Sequence, residues 1–170
     1  MKVQSIIRAE KTNLAVGEWG AGKYQRSKFP LSKAGRRAYS LGSSWRWRFA
    51  EFDAEGQHFV VRLIVNEGKA IARAHLAMKG ARDCTVLCCY EFHPDLQTGW
   101  HLHTLCGERN NILTAPAGTL VHGPWVKRLP AVSQPHNRAT FAQDMNGGTE
   151  AWLWHETMRF FRLETKGTLV

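Results

Sequence analysis

Trp45, Trp47 and Phe49 alternate with Arg46 and Arg48. That period of two predicts a strand with one aromatic and one cationic face. The turn-forming DAEGQ (53–57) follows, then HFVVRLIV (58–65), rich in β-branched residues, so the two strands form a hairpin. Asn66 is placed to cap the next element. NEGKAIARAHLAMKG is rich in alanine and ends at Gly80, which predicts a helix over about 67–79. On that helix Ile71, Ala74, His75 and Met78 share a stripe. CTVLCCYEF (84–92) is apolar almost throughout and predicts a central strand, and after the loop HPDLQTG the strand WHLHTLC (100–106) completes a second hairpin. Residues 107–147 hold four of the six prolines and read as loop. TEAWLWHETMRFFRL predicts a closing helix over about 149–163, burying Trp154, Thr157, Met158 and Phe161 beside a cationic stripe of His155, Arg159 and Arg162.

The order strand, strand, helix, strand, strand, helix predicts an α+β protein: an antiparallel sheet of four to five strands with two helices packed on it. Residues 14–44, rich in Gly, Ser, Lys and Arg, read as a loop-rich arm. The expected division is therefore a basic arm over 1–44 and a single α+β domain over 45–170. A chain of 170 residues is long enough for one such core. No apolar run approaches the roughly 20 residues of a membrane helix, and the first residues do not pattern as a secretory leader. Cys84, Cys88, Cys89 and Cys106 contain no Cys-x-x-Cys pair. They read as reduced core thiols of a cytoplasmic protein, with a zinc site built from some of them as the alternative.

Charge changes this picture in one region. The first 50 residues carry 11 Lys and Arg against Glu10 and Glu18, which equals the whole chain's net +9; the remaining 120 balance. Aromatic residues are interleaved with the cations there. Cations bind phosphates and rings stack on bases, so the pattern points to a nucleic acid, with Arg36, Arg37, Arg46, Arg48, Trp45 and Trp47 as candidate contacts. An acidic protein partner, or a solvated arm that only aids solubility, fits the same charge. GEWGAGK, from Gly17 to Lys23, has the spacing of a phosphate loop. Tyr24 stands where the magnesium-binding Ser or Thr belongs, and no strand-to-helix context frames the motif.

The chemistry-bearing stretch is GWHLHT (99–104). On a strand, His101 and His103 share one face and Leu102 takes the other. If the hairpin pairs symmetrically about Leu96, Glu91 lies opposite His101 and Cys89 opposite His103, and a slip of one residue undoes that arrangement. Two imidazoles and a carboxylate can bind a divalent ion and leave positions open for substrate. The candidate ligands are His101, His103 and Glu91, with His93 or Asp95 from the loop able to supply or orient another. The alternative is a pair of histidines that faces water and hydrogen-bonds its neighbours.

YEFHPDLQTGWHLHTL (90–105) resembles the motif of the HUH endonucleases, the rolling-circle replication initiators and plasmid relaxases. The resemblance maps His-hydrophobe-His onto His101, Leu102 and His103, with Glu91 or His93 as third ligand. It implies a five-stranded antiparallel sheet, a divalent metal (Mg, Mn or Zn) and metal-assisted cleavage of a phosphodiester. Members of that superfamily attack with a tyrosine. No tyrosine follows Tyr90 here, so the initiator arrangement is absent. The relaxase arrangement, with an early tyrosine, leaves Tyr24 or Tyr39. HLHTL is also similar to the His-x-Thr/Ser repeat of two-histidine phosphoesterases, but His103 and Leu105 stand where the hydroxyl residues belong. Metalloproteases of the JAMM type place a residue between Trp and the first His, and a downstream Asp; here His101 follows Trp100 directly, and TLCGERNNILTAP after His103 has no Asp. The expected function is nucleic-acid handling, by metal-assisted phosphodiester cleavage with His101 and His103 at the site, or by a non-enzymatic binding module whose histidines are structural.

Overall fold

The computed structural model describes residues 1–30, 38–93, 99–105, 111–114, 126–129 and 149–163. Ten strands and two α-helices are present among them: α1 (Val3–Arg8), β1 (Thr12–Val16), β2 (Gly20–Ala21), β3 (Lys23–Gln25), β4 (Ala38–Ser40), β5 (Arg46–Ala54), β6 (Gln57–Asn66), β7 (Ile71–Lys79), β8 (Cys84–His93), β9 (Gly99–Leu105), β10 (Val126–Leu129) and α2 (Glu150–Phe161). One antiparallel sheet runs β1-β5-β6-β7-β8-β9-β10, with β2 also paired to β5; β3 and β4 form a separate two-stranded ribbon. The α+β class and the closing helix match the sequence reading; the other helix, α1, lies where none was expected, and the sheet is larger than the four to five strands expected.

Two expectations are overturned. The segment read as a helix over 67–79 is a single 3-10 turn (Glu67–Lys69) followed by strand β7. Asn66 does cap that turn, accepting from the Lys69 amide at 3.1 Å. The chain then reverses through Ala70 in the left-handed region (φ 49°) and enters the strand. Alanine favours helix by only a fraction of a kcal/mol per residue, and pairing on both sides overrides it. Ala72, Ala74 and Leu76 are buried in the main core, while Arg73 and His75 alternate onto the other face. The second correction concerns residues 14–44. Four short strands lie between 12 and 40, and β1 and β2 hydrogen-bond to β5. Short strands of two to five residues are invisible to periodicity. They are held instead by backbone pairing and by two aromatic anchors, Tyr24 and Phe29, both buried. Gly20 suits the place where β2 crosses Trp47, because a Cβ there would collide with the indole ring.

The sheet is covered on both faces. The larger core joins Ala50, Phe52, Phe59, Val61, Leu63, Leu76 and Leu87 to Val3 and Ile6 of α1 and Leu153 and Phe161 of α2. The smaller core, on the opposite face, joins Tyr24 and Phe29 to Phe49, Val60, Ala77, Cys84, Val86 and Cys89. The β5–β6 hairpin has the expected position. Glu55 and Gly56 form its two-residue turn with φ of 50° and 72°, the left-handed pair that matches strand twist. Helix α2 starts at the Thr149 cap, whose Oγ1 accepts from the Trp152 amide at 3.3 Å. Its fully buried residues are Leu153, Thr157 and Phe161. The stripe is thus rotated from the expected one: Trp154 and Met158 are half-buried and Leu153 takes the innermost place.

A bulge in β8 sorts the cysteines. Leu76 pairs with Cys88 but Ala77 with Val86, so Leu87 has no opposite number. Leu87 and Cys88 then both enter the larger core, while Cys84, Val86 and Cys89 face the smaller one. Cys84, Cys88 and Cys89 are buried free thiols, as read from the sequence. Burial pushes Cys84 and Cys88 up to about 12, which suits packing rather than nucleophilic chemistry. Cys106 lies outside the described residues.

Two predictions follow from charged groups that tie the sheet together. Lys11, at the end of α1, donates from Nζ to the carbonyls of Ile6, Ile7 and Ala9 at 2.7–2.8 Å. Its burial and the nearby Arg162 push the ammonium down to about 8. Lys11→Met strands these helix-end carbonyls and lowers stability by about 1–3 kcal/mol in urea denaturation. Separately, His58 bridges Asp53 (2.7 Å) and Glu51 (2.9 Å) across the β5–β6 hairpin. The two carboxylates raise the His58 pKa above 6.5, and His58 helps to lower theirs. The imidazolium's contribution is complete below pH 6.5 and is lost as pH rises through its raised value. The carboxylates' contribution is lost as pH falls below their ordinary values of 4.5 and 3.8. His58→Gln therefore lowers the melting temperature more at pH 5.5 than at pH 9, measured by circular dichroism.

Candidate metal centre

The centre forms on the face of the smaller core, at its β8–β9 side. Strands β8 and β9 pair with Glu91 opposite His101 and Cys89 opposite His103, the symmetric register considered from the sequence. In the same register Arg73 of β7 faces Glu91, and His75 faces Cys89. Directly opposed residues share a sheet face. Two cross-strand rows result: Arg73, Glu91, His101 and His75, Cys89, His103. The other face takes the residues between. Leu102 packs against the larger core, and Tyr90 stacks on Phe160 of α2 with ring centroids 4.3 Å apart. Burial pushes the Tyr90 hydroxyl well up.

Both imidazoles point at one oxygen. His101 Nε2 lies 3.2 Å and His103 Nε2 2.9 Å from Glu91 Oε1. The other carboxylate oxygen, Oε2, lies 2.9 Å from Arg73 Nε. The two imidazole rings meet edge to face, 4.9 Å between centroids and 75° between planes. Glu91 and His101 are both 4% exposed, and His103 is half-buried at the rim. A carboxylate this buried is costly unless it is compensated. Here a guanidinium and two imidazoles surround it.

The donor set is two nitrogens and one oxygen, all within 4.8 Å of one another, and it is the one such group among the described residues. Around a zinc ion, ligand atoms sit roughly 3.3 Å apart; the two nitrogen–oxygen distances of 3.2 and 2.9 Å are already at or inside that spacing, and any wider spacing in the set, up to 4.8 Å, would have to close around an ion. Such an ion would be held by the two Nε2 atoms and Glu91 Oε1, and both imidazoles would have to offer an unprotonated Nε2 to it. Imidazole with one carboxylate suits zinc, manganese and neighbouring transition ions; magnesium prefers oxygen ligands and retained water. Two neighbours complete the electrostatics. His75 is pushed well below its ordinary pKa, first by burial and then by Arg62, which favours its neutral form. Arg62 lies 3.4 Å from His75 Nε2, donates to the Tyr24 hydroxyl at 2.8 Å and stacks over Phe29.

The other residues named from the sequence fall as follows. Tyr24 is buried against Trp47 and Phe49, and its hydroxyl meets Arg62 on β6, three strands from β9. Tyr39 pairs with Tyr24 in the β3–β4 ribbon; its side chain lies outside the described residues, as does that of His93, which pairs with Gly99. Asp95, Arg36 and Arg37 also lie outside them. Arg46 forms an ion pair with Glu150 at the start of α2. Arg48 donates to the Gly17 carbonyl at 2.6 Å and stacks on Trp154 at 4.3 Å. Both arginines are thereby engaged in holding the fold. Trp45 is half-buried, and Trp47 lies under Lys28, 5.2 Å from its ring. Arg73 is the neighbour that sequence reasoning missed. The signal was the alternation of Arg73 and His75 with Ala72 and Ala74, hidden by reading that stretch as a helix.

Removing the carboxylate tests this electrostatic arrangement. Glu91→Ala leaves Arg73 and two imidazoles without their shared anion. Breaking a fully buried pair costs about 3–5 kcal/mol. The Arg73 side chain is 34% exposed, which reduces the expected loss to about 1–3 kcal/mol in chelator-treated protein, read by urea denaturation.

Compared with known proteins, the chain matches no family model, no curated protein and no solved structure.

Proposed function

We propose that this protein handles nucleic acid and that Glu91, His101 and His103 hold a divalent ion for phosphodiester cleavage. The observation that carries the reading is the convergence of two imidazole nitrogens on Glu91 Oε1, with the three ligand atoms within 4.8 Å of one another. The resemblance of residues 90–105 to the HUH motif supports the choice of bond, because it pairs this ligand type with a DNA phosphate. The net charge of +9 supports a polyanionic substrate. A bound ion supplies Lewis-acid polarisation of a phosphoryl oxygen.

The protein groups have separate tasks. His101, on the buried side, fixes one ligand rigidly. His103, at the rim, sets the edge that substrate reaches. Water is the preferred nucleophile, because Tyr24 is buried three strands from the histidines with its hydroxyl on Arg62. With Arg46 and Arg48 engaged in the fold, phosphate contacts fall to other cations of the N-terminal part, among them the exposed Lys23 and Lys28. A transition ion suits the donor set better than magnesium. No helix among the described residues is long and apolar enough to cross a membrane.

A second reading also has an observation behind it. The Glu91 carboxylate is already surrounded by Arg73 and both histidines, as in a structural ion cluster. The histidines then only brace the sheet of a binding module for nucleic acid or an acidic protein. Metal content separates the two. Purified protein dialysed against zinc or manganese should hold one ion per chain by mass spectrometry. His101→Ala/His103→Ala should lose it, together with any metal-dependent cleavage of single-stranded DNA or RNA. Wild-type protein with no ion, and oligonucleotide binding unchanged in the double variant, leaves the binding module. In either reading, nucleic-acid affinity falls steeply with salt.

A further inference from the structure

We propose that Arg73 is a positioning residue of the metal centre: it occupies Glu91 Oε2, so that Glu91 ligates through Oε1 alone and a coordination position stays open for a substrate or water oxygen. This rests on the metal reading above. The observation is how the carboxylate is shared. Both histidines face Oε1, at 3.2 and 2.9 Å, and Arg73 Nε meets Oε2 at 2.9 Å. A carboxylate can bind an ion through one oxygen or two. The contact is an ion pair, with Nε not aligned as a hydrogen-bond donor to Oε2; its charge favours keeping Oε2 on Arg73, and a one-oxygen grip spends one coordination position rather than two. The sheet fixes this division, because Arg73 and His101 lie opposite Glu91 from its two sides, on β7 and β9.

Two physical effects of Arg73 have opposite signs, which makes the proposal testable. Its positive charge repels an incoming cation, so charge alone predicts that removing Arg73 tightens metal binding. Orientation predicts the reverse: losing the partner that fixes a ligand typically weakens affinity about 10–100-fold. The side chain is 34% exposed, so solvent screens the repulsion while the short contact to the buried carboxylate persists. Orientation therefore dominates. A lysine keeps the charge but not the planar shape and reach that bring Nε to Oε2, so it replaces Arg73 poorly.

The experiment uses the full chain with zinc for affinity and cobalt(II) as the spectroscopic probe. Arg73→Gln is expected to bind zinc about 10–100-fold more weakly. Its cobalt form is expected to absorb more weakly in the visible, as Glu91 grips through both oxygens and the coordination number rises. Arg73→Lys restores neither property. Arg73→Gln protein that binds zinc as tightly as wild type, or more tightly, overturns the proposal. So does an unchanged cobalt spectrum, or full restoration by lysine, which assigns the effect to charge. Should Arg73→Gln fail to fold, Arg73→Lys carries the test: both losses at an unchanged melting temperature support the proposal, and wild-type behaviour overturns it. Wild-type protein that binds neither ion removes the metal reading and this inference with it, whereas wild-type binding with unaffected variants removes the inference alone.

Discussion

A sheet buried on both faces must send each successive side chain into one core or the other, and this constraint organises the molecule. Strands β6, β7 and β8 are covered by α1 and α2 on one side and by Tyr24 and Phe29 on the other. Every polar residue in them needs a partner within the sheet or at its edge. The alternation of Arg73 and His75 with Ala72 and Ala74 sends the polar side chains to the face opposite α2 and places the small residues where α2 packs on β6 and β7. Charged groups gather instead on the opposite face, where the smaller core stops at Cys89 and His103 begins the polar cluster.

The bulge at Leu87 gives this division its consequence for chemistry. Without the extra residue, strict alternation from Cys84 and Val86 carries Glu91 into the helix-covered core. With it, Glu91 emerges on the other face, between Arg73 and the two histidines. The same irregularity separates the adjacent Cys88 and Cys89 into different cores. The carboxylate is then both buried and compensated, which favours a rigid position. Rigidity suits a metal ligand, and it equally suits a structural ion cluster.

The N-terminal residues acquire a different role from the one their charge suggests. Arg48 ties Gly17 to Trp154, and Arg46 ties the start of β5 to Glu150 of α2. These cations join elements far apart in the chain. Charge density in a sequence counts cations without saying which are already paired, so composition overstates the number available to a phosphate backbone.

By itself the sequence determined the parts whose signal is local. The β5–β6 hairpin, the closing helix and the β8–β9 hairpin follow from period-two patterns and a helical stripe, whereas the pairing of Glu91 with His101 followed only if the loop was symmetric about Leu96, a register that the sheet decided. Tertiary structure decided what local pattern leaves ambiguous. Ala-rich residues 71–79 became a strand because neighbours on both sides supplied backbone partners and a second core took Arg73 and His75. The short strands of the N-terminal part exist only through pairing with β5 or with each other, over too few residues for periodicity to register. Arg73 joined the centre for the same reason: cross-strand neighbours are set by sheet order, and sheet order is a long-range property that no single segment encodes.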